Sequence, residues 1–216
     1  MLATDKQVKA LVDLFYRGTK LAYKKGEFII RPGERPGGVF YIETGLVKAY
    51  DISKYGEENL LIIRRDGEIF PLIWAVTGQE RHIIYQTLSE CQVWRISSDD
   101  FTSYVTEPKN PLSPLLDMTM EMYRIHSERI INLEYRSVRE RLVSFLLTMS
   151  NRFGEKTNNG TLINVPLRHQ DIASSINATR ETTGRELAIL ERKGLVKNKQ
   201  LMIVLKDVEA LKKFLS

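Results

Sequence analysis

From Leu115 to Phe153 the chain contains neither proline nor glycine. So long a run without a backbone breaker reads as long helix. Just before it, "EPKNPLSP" (Glu107–Pro114) carries three prolines in eight residues and closes off whatever precedes it. The helix therefore divides the chain. Along it, Leu112, Leu116, Thr119, Tyr123, His126, Ile130 and Leu133 recur at alternating spacings of four and three, a heptad-like seam. Such a seam either packs on its own domain or meets a second copy of itself. With one kind of domain before it and another after, the second reading is preferred: a dimer interface formed by Leu112, Leu116, Thr119, Tyr123, Ile130 and Leu133.

Before the helix the texture is β. Residues 4–16 make a short amphipathic helix, and from residue 20 to about 105 short apolar or alternating runs follow one another: "KLAY", "EFIIRP", "VFYIETGLVKAYDI", "NLLIIR", "RHIIYQTL" and "CQVWRIS". Glycines at 26, 33, 45, 56 and 67 punctuate them as regular turn signals do in a sandwich or small barrel. No stretch approaches the roughly 18 apolar residues of a membrane helix, and the amino terminus mixes acids and lysines into its apolar pattern, unlike a signal peptide. A cytoplasmic protein with no membrane partner is expected. The lone cysteine, Cys91, can form neither an internal disulfide nor a Cys-ligated zinc or iron–sulfur centre, and reads as a half-buried strand residue. The three histidines are far apart, so no metal site is expected.

Charge separates the two ends. Residues 1–136 carry a net charge of −1 and residues 137–216 a net +6. The excess in the last third suits an anionic partner, nucleic acid first. There "GEKTNNGT" reads as a polar loop and "LINVPL" as a strand. "RHQDIASSI" is a short helix, "TRETTGRELAILERKG" a second one ending at Gly194, "LVKNKQLMIVLKD" a hairpin with its tip near "NKQ", and "VEALKKFLS" a closing helix. Short helix, tight turn, second helix and hairpin make a winged helix-turn-helix. Asn177 sits in the turn, where a left-handed backbone is often required, and Thr179 can cap the second helix. At 100° per residue Thr183, Leu187 and Leu190 face inward, while Glu181, Arg185, Ala188 and Arg192 face outward and Arg180 lies at the border. The amino-terminal residues of such a helix enter the major groove. Arginine can there bond guanine O6 and N7, and glutamate can accept from cytosine N4. Glu181 could instead complement the helix dipole or pair with Arg185.

The segment "RHQDIASSINATRETTGRELAILERKGLV" resembles the helix-turn-helix of the cyclic-AMP receptor protein/FNR superfamily of bacterial transcription regulators, through the R-E-T-x-x-R run at Arg180–Arg185 and the G-R-x-L at Gly184–Leu187. "KKGEFIIRPGERPGGVFYIETGLVKAYDI" is similar to the same family's β-roll entry. The resemblance implies an α+β chain: a double-stranded β-roll, jelly-roll and cyclic-nucleotide-binding-like, over residues 1–109, a dimerisation helix over 110–136, and a winged helix-turn-helix over 137–216. It implies a homodimeric, sequence-specific regulator of transcription that reads double-stranded DNA. The site would be a near-palindrome of TGTGA-like half-sites, with bases read by Arg180, Glu181 and Arg185 and phosphates met by Arg168, His169 and Thr182. RNA polymerase is an implied partner, near residues 154–160.

In cyclic-nucleotide-binding members a G-E-L-A run leads to R-S-A or R-T-A. Here "GEIFPLIWAVTGQERHI" keeps Gly67, Glu68 and Arg81, but Phe70 and Pro71 replace small residues and proline has no amide to donate. On the helix Ser127 matches a position that can touch the purine, and His126 stands where a hydroxyl is usual. Glu68, Arg81, His126 and Ser127 are thus the effector-pocket candidates, and a structural link between Glu68 and Arg81 is the preferred reading of that pair. Cyclic AMP, another small ligand, no ligand, and haem through His82 all stay open. No enzyme is expected, since a cupin-type metal site needs clustered His and carboxylate ligands. A regulatory module acting on a protein partner is the alternative function, but it leaves the basic carboxy-terminal region without a role.

Overall fold

The computed structural model describes residues 1–215. The described residues form two compact units, one of residues 1–51 and 61–123, the other of 52–60 and 124–215.

The first unit opens with α1 (Asp5–Phe15), capped by Thr4 in a reciprocal capping box with Gln7. Strands β1 (Thr19–Tyr23), β2 (Phe28–Ile30), β3 (Val39–Thr44), β4 (Val47–Ile52), β5 (Glu58–Arg64), β6 (Ile69–Phe70), β7 (Ile84–Thr87) and β8 (Cys91–Ile96) follow. They form two four-stranded sheets, ordered β1-β8-β3-β6 and β2-β7-β4-β5, with antiparallel pairing such as Phe40 opposite Arg95 and Ala49 opposite Tyr85. This is the β-roll. Leu11, Phe15, Val39, Ile69, Trp74, Ile96 and Phe101 form a core cluster, fed by strands that alternate inward and outward. Gly45 shows why a turn there needs glycine. Its φ is +106°, and a Cβ would lie 2.4 Å from the Glu90 carbonyl.

Two short helices interrupt the expected β texture: α2 (Leu72–Thr77) and α3 (Ser98–Thr106). α3 begins at Ser97, whose hydroxyl accepts from the Asp100 amide. Cys91 is fully buried rather than half-buried, and burial pushes its thiol pKa up, which keeps it inert.

The single long helix expected from Leu115 to Phe153 is two helices, α4 (Ser113–Tyr135) and α5 (Val138–Phe153). Ser137 ends the first and caps the second. Its hydroxyl accepts from the Glu140 amide, and its own amide donates to the Glu140 carboxylate at 2.8 Å. Ser-x-x-Glu is a start signal, and at this point it outweighs the lack of a proline or glycine.

In the second unit, "GEKTNNGT" is a hairpin rather than a loop. β9 (Gly154–Thr157) pairs with β10 (Gly160–Ile163) around a turn held by the Thr157 hydroxyl, which donates to the Gly160 carbonyl. The remaining elements are α6 (His169–Ser175), α7 (Arg180–Arg192), β11 (Val196–Lys199), β12 (Met202–Leu205) and α8 (Val208–Lys212). The third sheet runs β11-β12-β10-β9. Leu142, Leu146, Ile163, Ile172, Leu190 and Leu205 are fully buried at the centre of this winged helix-turn-helix.

Candidate nucleic-acid interface

The turn between α6 and α7 is built locally. Asn177 adopts φ +49°, in the left-handed region that asparagine tolerates better than most residues. The Ala178 amide then returns to the Ala173 carbonyl at 3.0 Å. Thr179 caps α7, accepting from the Thr182 amide at 3.1 Å. Inward, Thr183, Leu187 and Leu190 are buried. Outward, Arg180, Glu181, Arg185, Ala188 and Arg192 are all exposed, as the helical periodicity predicts. Arg180, Glu181 and Arg185 therefore project together from the first two turns.

Glu181 does not pair with Arg185. The Arg185 guanidinium donates instead to the Thr182 hydroxyl at 3.1 Å, and that hydroxyl also receives a bond from Thr179 Oγ1 at 2.9 Å. The ion-pair reading of Glu181 is thereby set aside, leaving the dipole and base-reading roles.

Three cations fix the recognition element from behind. Arg139 of α5 donates to the Glu186 carboxylate at 2.6 Å. Arg141 of the same helix reaches the Asn177 carbonyl at 3.3 Å. Arg129 of α4 donates to the Ser175 carbonyl at 3.0 Å, at the carboxyl end of α6. Sequence reasoning missed all three. Their partners lie 36 to 47 residues away, and no local pattern announces them.

Arg168 precedes α6 and is exposed, with its amide held by the Asp171 carboxylate at 2.9 Å. His169 is half-buried. Its Nε2 lies 3.4 Å from Asn198 Nδ2 on β11, and its ring covers Gly184 of α7.

The effector candidates divide between the two units: Glu68 and Arg81 in the first, His126 and Ser127 in the second. The Glu68–Arg81 link is corrected. Glu68 is 8% exposed and faces Arg64, 3.3 Å away and equally buried, with Arg65 at 4.0 Å. Arg81 is exposed in the segment ahead of β7. Phe70 is fully buried in a stack between Phe40 and Tyr85, with ring centroids 5.4 and 4.5 Å away. Pro71 starts α2 without a side-chain cap and has no amide to offer a phosphate. An engaged carboxylate, a buried aromatic stack and a missing donor do not fit a cyclic nucleotide. His126 lines an open cleft of about 810 Å³ together with Arg129, Gln170 and Arg180; Ser127 is half-buried. His82 is exposed, and among the described residues no group of three or more His, Cys, Asp or Glu could hold a metal ion.

The seam residues of α4 are largely uncovered. Leu112, Leu116, Tyr123 and Ile130 are 44%, 44%, 69% and 63% exposed. Thr119 is exposed and Leu133 half-buried. No helix among the described residues is long and apolar enough to cross a membrane.

Comparison with known proteins agrees with this architecture. Residues 20–107 match the model of the cyclic nucleotide-binding domain, and residues 140–214 that of the Crp-like helix-turn-helix domain. The chain is 27% identical to the global nitrogen regulator of Nostoc sp., over 96% of this chain and 98% of that one. It is 26% identical to electron transport regulator A of Shewanella oneidensis, over 87% and 75%. Among solved structures, a CooA mutant from Carboxydothermus hydrogenoformans superposes with a TM-score of 0.80 at 21% identity, covering 99% of this chain and 97% of that one. A β-roll followed by a winged helix-turn-helix, matched by both domain models, places the chain in the CRP/FNR family of DNA-binding transcription regulators.

Proposed function

We propose that the protein works in the cytoplasm as a homodimer that reads a near-palindromic site of TGTGA-like half-sites. Arg180 and Arg185 bond guanine edges in this reading, and Glu181 accepts from a cytosine amino group. The observation that carries it is the state of Glu181: exposed, in the first turn of α7, beside Arg180 and with no ion pair to Arg185. A carboxylate among phosphates is repelled unless a base donor compensates it, and a good pair contributes roughly 1–3 kcal/mol of discrimination. Arg168 and the Thr182 hydroxyl are assigned to phosphates. The exposed apolar residues of α4 support the dimer, since a stripe of large apolar side chains left in water marks an interaction face. Two copies would place two recognition helices about one helical turn of DNA apart. The turn of the β9–β10 hairpin is assigned to RNA polymerase. The β-roll is proposed to respond to a ligand other than a cyclic nucleotide, or to none.

Selection from random duplexes tests the reading. Wild-type protein should enrich a two-fold site, and Glu181→Ala should lose preference at one base pair per half-site while keeping non-specific affinity. Identical preferences for the two proteins would remove Glu181 as a reader.

A further inference from the structure

His169 opens α6, and only the family resemblance points it to a phosphate. Its surroundings give it different work. The ring covers Gly184, where an added Cβ would lie 3.5 Å from Nδ1, so His169 is one point at which α6 packs on α7. Its other nitrogen, Nε2, faces Asn198 Nδ2 at 3.4 Å. Asn198 is tied a second time, its backbone amide donating to Glu191 Oε1 on α7 at 3.1 Å. One residue of the wing is thus held by a side chain from each helix of the helix-turn-helix.

The strand carrying Asn198 makes this contact matter. Along β11, Val196 is buried and Asn198 half-buried, while Lys197 and Lys199 are exposed. Alternate residues of a strand point to opposite faces, so Asn198 faces the helices and the two lysines share the other side. Fixing Asn198 fixes the direction in which Lys197 and Lys199 present their charge. We propose that His169, Asn198 and Glu191 are positioning residues: they brace the wing against α6 and α7, so that Lys197 and Lys199 meet DNA phosphates flanking the half-site. This rests on the reading that α7 enters the major groove. The brace itself belongs to the free protein.

A change of charge-free residue then acts on an electrostatic observable. Each phosphate neutralised contributes about −0.9 to the slope of log K against log salt. Lys197→Gln and Lys199→Gln should each make the slope shallower by about one. Asn198→Ala alters no charge, yet should make it shallower by one to two and weaken binding about 3- to 10-fold, the range a neutral hydrogen bond commands. His169→Ala should do the same, and the double variant should be no worse than either single one, because both act through one contact.

The test combines this salt titration on a selected duplex with amide hydrogen exchange of β11 and β12 in the free full-length protein. Faster wing exchange in both single variants, by several-fold, is the expected result. An Asn198→Ala slope equal to wild type, or additive losses in the double variant, would overturn the proposal and return His169 to a direct phosphate contact. Unchanged wing exchange would overturn it without reference to DNA. If wild-type protein selects no duplex, the base-reading assignment fails, and the exchange arm still decides the brace.

Discussion

Removing the Ser144 hydroxyl should destabilise the second unit far more than the loss of one oxygen atom suggests. Ser144 of α5 is 1% exposed and Asn132 of α4 is 8% exposed. The Asn132 side-chain amide donates to Ser144 Oγ at 2.7 Å, and that hydroxyl donates to Glu128 Oε1 at 3.1 Å. Asn132 Oδ1 is buried without a hydrogen-bond partner. Ser144→Ala therefore strands the donor end as well, leaving a buried amide with no partner at either end. A stranded donor costs about 1–3 kcal/mol. Loss of the Glu128 bond adds little, since that carboxylate is partly exposed and also faces Arg124. The expected loss is about 2 kcal/mol, or about 30-fold in the folding equilibrium. Urea unfolding can assign it to the correct unit. Both tryptophans, Trp74 and Trp94, lie in the first unit, so fluorescence follows the β-roll, while far-UV circular dichroism also follows α5–α8. The circular dichroism transition should move to lower urea, and the fluorescence transition should not. Asn132→Leu combined with Ser144→Ala should recover most of the loss, because replacing both partners with apolar groups leaves no polar group stranded. A Ser144→Ala loss below about 0.5 kcal/mol, or a double variant weaker than the single, would refute the reasoning.

Two further outcomes follow from the first unit and the α4 face. The Asp117 carboxylate accepts from the Leu2 amide at 2.9 and 2.8 Å and from the Ala3 amide at 2.8 Å. These bonds, Ala3 first, hold its pKa below the usual value. A depressed carboxylate stabilises above its unfolded pKa, about 3.9, and the contribution is lost as pH falls through the folded value. Exchange protection of Leu2 and Ala3 should persist from neutral pH down through the unfolded value of about 3.9 and be lost only as pH falls further, and Asp117→Asn should weaken it throughout the range in which it persists. Leu116→Glu places a charge on the 44%-exposed seam position. Sedimentation should show it shifting the protein to monomer with the first unit still folded; an unchanged dimer would remove the seam from the interface.

The recognition helix was legible because everything that defines it is local. The αL asparagine at 177, the Thr179 cap and the inward Thr183, Leu187 and Leu190 lie within fourteen residues, and period and capping depend only on near neighbours. The break between α4 and α5 was equally local, written in Ser137 and Glu140, yet a run without Pro or Gly hid it. In the β-roll the glycine turns were legible and α2 and α3 were not, because short helices inside a β domain are held by the core they cover. Trp74, Ala75 and Phe101 are buried in one cluster.

Sequence alone determined which side chains stand outward on α7, since helical period and caps set direction without reference to the rest of the chain. It also placed the positive excess in the last third. Only the tertiary structure decided the partners. Glu68 faces Arg64 rather than Arg81, Arg139 meets Glu186, 47 residues away, and His169 meets Asn198, 29 residues away. A charged or polar side chain takes whichever neighbour the packed backbone brings within about 3 Å. Spacing along the chain constrains that neighbour only while both residues share one regular element.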